Sequence, residues 1–325
     1  MDRLDYVERG FKRISADRDR LGSVGICGAC CPICCPSPPI DAPTIYGCMM
    51  WGTFLLDAFR RTEGTEMRDA LEELLGPASG SAWSSGGVYV FWDPATREPL
   101  YVGITGDLPV RFAQHAGLRS CPPEGCKRRE IEAYFAEGHE KLGYTALAMS
   151  SLSQVRTARH REVLGPMRRD LIELSETISE EAMDEIRALE GRLLAYSRVR
   201  FGNLPRWNTD PGRIPRVEPA PEDGSMAIAI GALDVLLQAR LAIRQLANDP
   251  LAAMFEEELH GARLIAVAVG IRSEVGVRND TIRAEIERDG LILAEIREEI
   301  LRSGYLDQRC PLTIGPVLDP PTDST

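Results

Sequence analysis

The strongest constraint on the fold lies in residues 87–104, where two short runs of strand-forming residues flank a turn. The first run is VYVF at 88–91, and the second is LYVGI at 100–104. β-Branched and aromatic residues favour strands, and the intervening DPATRE carries the Asp, Pro and Thr typical of turns. The pattern predicts a β-hairpin, which places the two runs side by side.

The elements that follow the hairpin are predicted from their apolar spacing. Residues 108–118 and 178–200 are predicted helices, and Ser179 is a candidate N-cap for the second one. Residues 144–149 are predicted to form a third strand. The expected fold is therefore α/β of the α+β kind, with a small three-stranded mixed or antiparallel sheet packed by helices.

The flanking regions are predicted to be mainly helical. Apolar residues of 53–75 recur at helical spacing, and so do two stripes within 226–306. The first stripe contains Ile228, Ala232, Val235, Leu236, Ala239, Ile243 and Leu246, and the second Ile282, Ile286, Ile292, Ile296 and Ile300. The expected organisation is an N-terminal helical region with a Cys- and Pro-rich loop (1–80), a central domain (83–216), a C-terminal helical region (222–310) and a tail (311–325).

Chemistry-bearing residues concentrate in the central domain. GVY at 87–89 and YVG at 101–103 lie on the two hairpin strands, Arg111 follows Tyr101 by ten residues, and His115 follows Arg111 by four. Arg111 and His115 therefore share one helix face. Downstream, ALEGRLLAYSR contains Glu190, and LPRWN ends at Asn208.

These motifs resemble the GIY-YIG nuclease family over residues 83–216. The resemblance implies a metal-dependent endonuclease that hydrolyses phosphodiester bonds in nucleic acid, with DNA the expected substrate. The implied site contains Tyr89, Tyr101, Arg111, His115, Glu190 and Asn208. The chain departs from the family by extra material at 119–175 and by a long interval between the last two residues.

The resemblance also implies a role for each residue. Glu190 would hold Mg²⁺ or Mn²⁺, with Glu185 as the backup carboxylate. A phenolate, of Tyr89 or Tyr101, would help to deprotonate the attacking water, and Arg111 would neutralise charge on the transition state. The residues give independent support, because Glu190 lies within an apolar helix stripe, where a carboxylate is costly unless paired or bound to metal.

Structural interpretations of the same residues stay open. The two tyrosines could be ordinary strand aromatics, and Arg111 could form a structural ion pair with Glu190. The alternative function is a catalytically inactive nucleic-acid-binding or scaffolding protein that assembles through its C-terminal helices. His139, His160 and His260 are expected at the surface.

The nine cysteines are expected to be thiols or metal ligands rather than disulfides. Residues 27–35 have ligand-like CxxC spacing for Zn²⁺ or an iron–sulfur centre, but adjacent cysteines point apart, which favours ordinary thiols in a loop. Cys121 and Cys126 flank a turn beside the basic triplet at 127–129, where a zinc knuckle is the alternative.

The net charge of −11 argues mildly against nucleic-acid binding, but its distribution reduces the objection. Residues 83–216 hold 19 basic and 18 acidic residues, so the excess negative charge lies in the flanks. Neither a signal-peptide pattern nor a membrane-helix pattern is visible, and a cytoplasmic protein with no membrane partner is expected. The C-terminal helices are the candidate surface for a homo-oligomer.

Overall fold

A four-stranded antiparallel sheet forms the centre of the computed structural model. In the order along the sheet, its strands are β1 (Thr53–Phe59), β4 (Leu142–Ser150), β2 (Trp83–Trp92) and β3 (Pro99–Thr105). The structure describes residues 52–79, 81–122, 125–151, 154–165, 169–209, 225–270, 279–287 and 294–313. Predictions for the Cys-rich 27–35 segment, the N-terminal helix and the end of the tail fall outside these residues.

The predicted hairpin is confirmed, because β2 pairs antiparallel with β3, with Tyr89 opposite Gly103 and Phe91 opposite Tyr101. The turn is built by Asp93, whose side chain accepts hydrogen bonds from Ala95 N (2.7 Å) and Thr96 N (3.2 Å). An Asp that binds its own backbone two and three residues ahead stabilises such a turn.

The helices follow the strands in a mixed α/β order. α1 (Gly64–Leu75) follows β1, α2 (Leu108–His115) follows β3, and α3 (Arg128–Ala136) precedes β4. After β4, the helices are α4 (Ala158–Leu164), α5 (Arg169–Phe201), α6 (Ser225–Ala229), α7 (Ile243–Ala247), α8 (Pro250–Gly270), α9 (Asn279–Glu287) and α10 (Ala294–Arg302). The predicted helix at 108–118 corresponds to α2, and the predicted third strand corresponds to β4. The predicted helix at 178–200 lies within α5, which begins at Arg169, so Ser179 is inside the helix and not its N-cap. Its hydroxyl instead accepts from Arg156 N at 2.9 Å. No helix within the described ranges is both long enough and apolar enough to span a bilayer.

The prediction of one helix over 53–75 is wrong in its first part, and the sheet has four strands rather than three. Residues Thr53–Phe59 form β1, which pairs along its whole length with β4, and the helix begins only at Gly64. Every residue of β1 is buried, so its apolar run suits a covered strand as well as a helix face. Its one acidic residue, Asp57, is buried against the guanidinium of Arg244 at 3.0 Å.

The first apolar stripe of the C-terminal region is not helical along its length. Helix α6 ends at Ala229, and the chain continues irregularly to α7 at Ile243. Gly231 has a φ of +66°, and a Cβ there would lie 2.8 Å from the guanidinium of Arg97, so a left-handed glycine ends the helix. In the second stripe, Ile286, Ile296 and Ile300 are buried as predicted.

The irregular segment covers the outer edge of β1. Phe54 N donates to Leu237 O (3.0 Å), and Ala239 N donates to Phe54 O (2.9 Å). Two buried arginines hold this segment in place by binding its carbonyl oxygens, Arg240 at Val235 O (2.5 Å) and Arg263 at Leu236 O (2.5 Å). An edge that is otherwise open to strand addition is thereby closed.

Candidate active site

Helix α2 carries two of the predicted site residues towards the hairpin. Asp107 caps the helix by accepting from Val110 N (3.1 Å), and Pro109 lies in its first turn, which suits a helix start. His115 Nε2 lies 2.7 Å from Tyr89 Oη, and Arg111 Nε donates to the same oxygen at 3.3 Å. Residues from β2 and α2 therefore meet at one phenol.

The hydrogen atoms in this cluster follow from the contact on the other side of the imidazole. Lys127 N–H donates to His115 Nδ1 at 2.9 Å, so Nδ1 is an acceptor. Burial, with the charges of Arg111 and Lys127, lowers the pKa of His115 to about 3, which keeps the ring neutral. A neutral ring that accepts at Nδ1 carries its proton on Nε2, so His115 donates to Tyr89.

Tyr89 Oη thus receives two N–H donors, from His115 and Arg111, and its own proton is free to point elsewhere. The neighbouring phenol is Tyr101, whose ring centre lies 5.9 Å from that of Tyr89. The donors from His115 and Arg111 therefore leave Tyr89 able to direct its own proton towards Tyr101.

The two phenols differ in access to solvent. Tyr89 is 1% exposed and His115 0%, whereas Tyr101 and Arg111 are half-buried. Burial, together with the charge of Tyr101, raises the pKa of Tyr89 well above its ordinary value. Burial also raises the pKa of Tyr101, while the charge of Arg111 and the nearby Tyr89 hydroxyl act in the opposite direction. Tyr101 is therefore the phenol that can reach a bound molecule.

The glycine of YVG leaves room for this arrangement. A Cβ on Gly103 would lie 2.5 Å from Tyr89 Oη and 2.6 Å from the Tyr101 ring. Any side chain at this position would therefore displace one of the two phenols.

The contacts of the Arg111 guanidinium within the described part of the chain are all to neutral groups. Besides Tyr89, Nη1 donates to Gln114 Oε1 (3.1 Å) and Cys121 Sγ (3.7 Å), and Nη2 donates to Gly125 O (2.7 Å). The sequence alternative of an Arg111–Glu190 ion pair is not seen among these contacts. A half-buried guanidinium held by neutral partners retains its full charge for an anion.

Glu190 lies on α5 and faces the hairpin closely enough for its charge to raise the pKa of Tyr101. Glu190 is half-buried. The fully buried side of α5 is formed by its neighbours, such as Ile186 and Leu193. Burial and the charge of Glu181 raise the pKa of the backup carboxylate, Glu185, to about 7.

The expected metal ion needs few protein ligands. No group of three His, Cys, Asp or Glu side chains lies together in the residues that the structure describes. Mg²⁺ is commonly held by one or two carboxylates, with water and substrate phosphate completing its shell. Glu190 beside Tyr101 fits that sparse set. Zinc takes three or four protein ligands, and the described residues supply only the two thiols at Cys121 and Cys126.

Asn208 lies at the outer edge of β3 and not among the phenols. Its Oδ1 accepts from Val102 N (2.9 Å), and its Nδ2 donates to Val102 O (2.8 Å). Trp207 N donates to Leu100 O (2.9 Å) in the same direction. Asn208 is therefore a positioning residue, because it fixes the strand that carries Tyr101.

One contributor was not predicted. Lys127 supplies the main-chain N–H to His115, and its ammonium lies 5.1 Å from the centre of the Tyr101 ring and 3.1 Å from Glu130. Lys127, the first residue of the basic triplet, is 8% exposed. A main-chain donor leaves no signal in residue type, so the sequence could not reveal it.

Two of the three histidines expected at the surface are buried. His160 is 2% exposed and caps α4 through Thr157 Oγ1 (2.6 Å), and His260 is 3% exposed and lies 3.1 Å from Thr53 Oγ1. His139 is half-exposed and stacks on Tyr134 with ring centres 3.9 Å apart. The sequence around a single histidine does not predict which hydroxyl group will form a hydrogen bond with its ring.

No protein-family model, no curated protein and no solved structure matches this chain. The GIY-YIG resemblance therefore rests on the site residues themselves.

Proposed function

We propose that this chain is a metal-dependent endonuclease of the GIY-YIG type that hydrolyses phosphodiester bonds, with DNA as the expected substrate. The observation that carries the proposal is the convergence of Tyr101, Arg111 and the Tyr89–His115 hydrogen bond of 2.7 Å at one side of the sheet. Phosphoryl chemistry requires a positioned base beside a fixed positive charge, and this cluster offers both.

Arg111 binds the scissile phosphate in this proposal. Its guanidinium is held in one orientation by Gln114, Gly125 and Tyr89, and these partners are neutral. A guanidinium that is already oriented loses little conformational freedom when it binds an anion, and it stabilises the extra charge that develops on the phosphate oxygens.

Tyr101 is the general base. A water molecule attacks phosphorus, its proton passes to Tyr101 Oη, and the bond from phosphorus to the leaving oxygen breaks. The donor chain from His115 through Tyr89 stabilises the Tyr101 phenolate, because Tyr89 can direct its own proton towards Tyr101. Of the two phenols that the sequence left open, Tyr101 is favoured, since Tyr89 is sealed from solvent.

Glu190 would hold the divalent cation, Mg²⁺ or Mn²⁺. When bound, such an ion supplies Lewis-acid stabilisation of the leaving oxygen and favours the ionised form of a nearby phenol. Without a bound cation, the negative charge of Glu190 raises the pKa of Tyr101. A cation bound at Glu190 would make the local charge positive and would lower that pKa.

A second candidate is an inactive nucleic-acid-binding or scaffolding module, and one observation favours it. Tyr89, at 1% exposure, packs against the rings of Phe91 and Tyr144 at 5.9 and 6.1 Å, as a core aromatic residue does. In that case Arg111 could still bind phosphate, but no water would be activated.

The deciding experiment is cleavage of supercoiled plasmid and of single-stranded RNA by the full chain with Mg²⁺, with Mn²⁺ and with a chelator. Tyr101→Phe should lower the cleavage rate at least ~10²-fold, as removal of a catalytic base does. The matched control is Tyr144→Phe, which removes a buried hydroxyl that has no hydrogen-bond partner and should leave the rate unchanged. Binding of nucleic acid without metal-dependent cleavage would replace the proposal by the second candidate.

A further inference from the structure

Two thiols lie together on the loop that holds Arg111. Cys121 Sγ accepts from Arg111 Nη1 (3.7 Å), and Cys126 Sγ contacts Gln114 O (3.8 Å), so both thiols contact the same helix, α2. Both cysteines are reduced and half-buried. Between them Gly125, with a φ of +77°, turns the chain back and binds Arg111 through its carbonyl oxygen.

The two thiols are also neighbours in an electrostatic sense. Burial raises the pKa of Cys121 to about 11, and the nearby Cys126 sulfur acts in the same direction. Cys121 therefore keeps its proton at neutral pH. A pair in which one sulfur attacks and its neighbour stays protonated until the second step is suited to disulfide exchange.

We propose that Cys121 and Cys126 form a redox modification site, which interconverts between a dithiol and a disulfide within the loop and controls the position of Arg111. The site takes a low-molecular-weight disulfide, such as glutathione disulfide, as its oxidant. Its effect on cleavage rests on the proposed function, whereas formation of the bridge does not.

The exchange balances as two successive substitutions at sulfur. The Cys126 thiolate attacks one sulfur of the small disulfide, its S–S bond breaks, and one small thiolate leaves with the electron pair. Cys121 then loses its proton to solvent, and its thiolate attacks Cys126 Sγ of the mixed disulfide and expels the second small thiolate. The two protein thiols are oxidised by two electrons, and one small disulfide is reduced to two thiols.

The bridge changes the surroundings of Arg111. An S–S bond is about 2.05 Å long, which is shorter than any non-bonded contact between two sulfur atoms, so Cys121 and Cys126 must approach each other when the bridge forms. Cys121 Sγ and Gly125 O both belong to this loop and bind different nitrogens of Arg111. Closure therefore shifts the partners that orient the guanidinium, and a displacement of about 1 Å near a reacting group can lower a rate by up to ~10²-fold.

The site can be read without any activity assay, because trypsin releases residues 120–127 as one peptide that contains both thiols. The full chain is equilibrated over a series of reduced-to-oxidised glutathione ratios, quenched in acid, unfolded, alkylated and digested. The peptide should change from two alkyl groups to none in one step, two hydrogen atoms lighter before alkylation. Cys310, which is 0% exposed, should remain alkylatable throughout and serves as the internal control.

Cys126→Ser replaces the thiol by a hydroxyl, which can contact Gln114 O but cannot form the bridge. The cleavage rate of this variant should not respond to oxidant. The cleavage rate of the parent should fall roughly 10- to 10²-fold on oxidation. The redox site would be overturned if, in the folded chain, peptide 120–127 keeps both alkyl groups at a glutathione ratio that forms the bridge in the urea-unfolded chain. A bridge that leaves both the rate and the Arg111 Nε–H resonance unchanged would overturn the control of Arg111. If the reduced chain cleaves nothing, the proposed function fails, and the peptide and the resonance still decide this inference.

Discussion

Glu190 and Glu185 lie on one helix, α5, yet their carboxyl groups respond to different neighbours. The charge of Glu190 reaches Tyr101, whereas the pKa of Glu185 is raised to about 7 by burial and by Glu181. Because the two residues share a helix and partial burial, Glu185 provides the control for Glu190.

We expect Glu190→Gln to lower metal-dependent cleavage by at least roughly 10²-fold, because the amide keeps the shape but loses the charge that holds the cation. The free energy of unfolding should change little. The measurement is the cleavage rate at saturating Mg²⁺, together with thermal melting of the same sample. Glu185→Gln should cleave at the parent rate.

The opposite pattern has a distinct meaning. If Glu190→Gln melts early while the parent never cleaves nucleic acid, the carboxylate has a structural role and does not hold a metal ion.

A second residue-scale prediction concerns Gly103. Its replacement by Ala places a methyl group 2.5 Å from Tyr89 Oη, so one phenol must move and the Tyr89–Tyr101 contact should break. Overpacking of this kind costs about 1–3 kcal/mol, and we expect cleavage to fall at least ~10-fold. The matched control is Gly138→Ala, where no atom lies within 4 Å of the added Cβ, although its φ of +94° carries a backbone cost of its own. Unfolding curves and cleavage rates on both variants separate loss of stability from loss of geometry.

At the scale of elements, the outer edge of β3 depends on one amide. Asn208 binds both main-chain polar groups of Val102, next to Tyr101. Asn208→Ala should raise the hydrogen-exchange rate of the Val102 amide at least ~5-fold, because a net hydrogen bond contributes about 1 kcal/mol. Asn248→Ala, which removes a side-chain bond to Arg244 O on an exposed helix end, should leave that amide unchanged. Unchanged protection of Val102 in Asn208→Ala would show that another group holds the edge.

The elements that could be predicted are those whose secondary structure is determined by residues within the element itself. The hairpin and α2 follow from strand formers, an Asp turn and a capped helix start, all local signals. β1 could not be predicted, because its seven buried residues fit a strand only once β4 lies beside them. The segment before α7 was mistaken for a helix because Gly231 and two distant arginines, which fix its path, do not alter apolar spacing.

The candidate site divides in the same way. Spacing predicts that the hairpin brings Tyr89 near Tyr101 and that Arg111 and His115 share a helix face, and the family resemblance implies that the two pairs meet. The contacts that set their hydrogen atoms come from Lys127 N and Gly125 O, and main-chain groups carry no residue-type signal. The contribution of Asn208 to β3 likewise depends on a turn after α5 that no local pattern predicts.

At the scale of the whole molecule, buried histidines should make the fold sensitive to acid. Burial lowers the pKa of His115 and His260 to about 3 and that of His160 to about 4, from an ordinary value of 6.5. Below pH 6.5 these histidines are protonated in the unfolded chain but stay neutral in the folded chain. The free energy of unfolding therefore falls as pH falls from 6.5 towards 4. Each histidine contributes up to about 1.4 kcal/mol per pH unit in that window. Glu185 acts in the opposite direction, since its pKa is raised to about 7.

A difference between variants isolates this effect. In His160→Gln the new residue keeps a capping group for Thr157 but cannot titrate, so the slope of unfolding free energy between pH 5 and 6.5 should fall by about 1 kcal/mol per pH unit. Urea unfolding at several pH values gives both slopes, and equal slopes in the parent and His160→Gln would contradict the prediction.

The placement of β1 has a consequence for synthesis. Its partners are β4 on one side and residues 237–239 on the other, so the second partner follows β1 by about 180 residues. A ribosome adds roughly 5–20 residues per second, so on the order of 10–40 s pass between the two. Throughout that interval the nascent chain carries an apolar strand with a free edge, which is the surface that chaperones bind and from which aggregates grow.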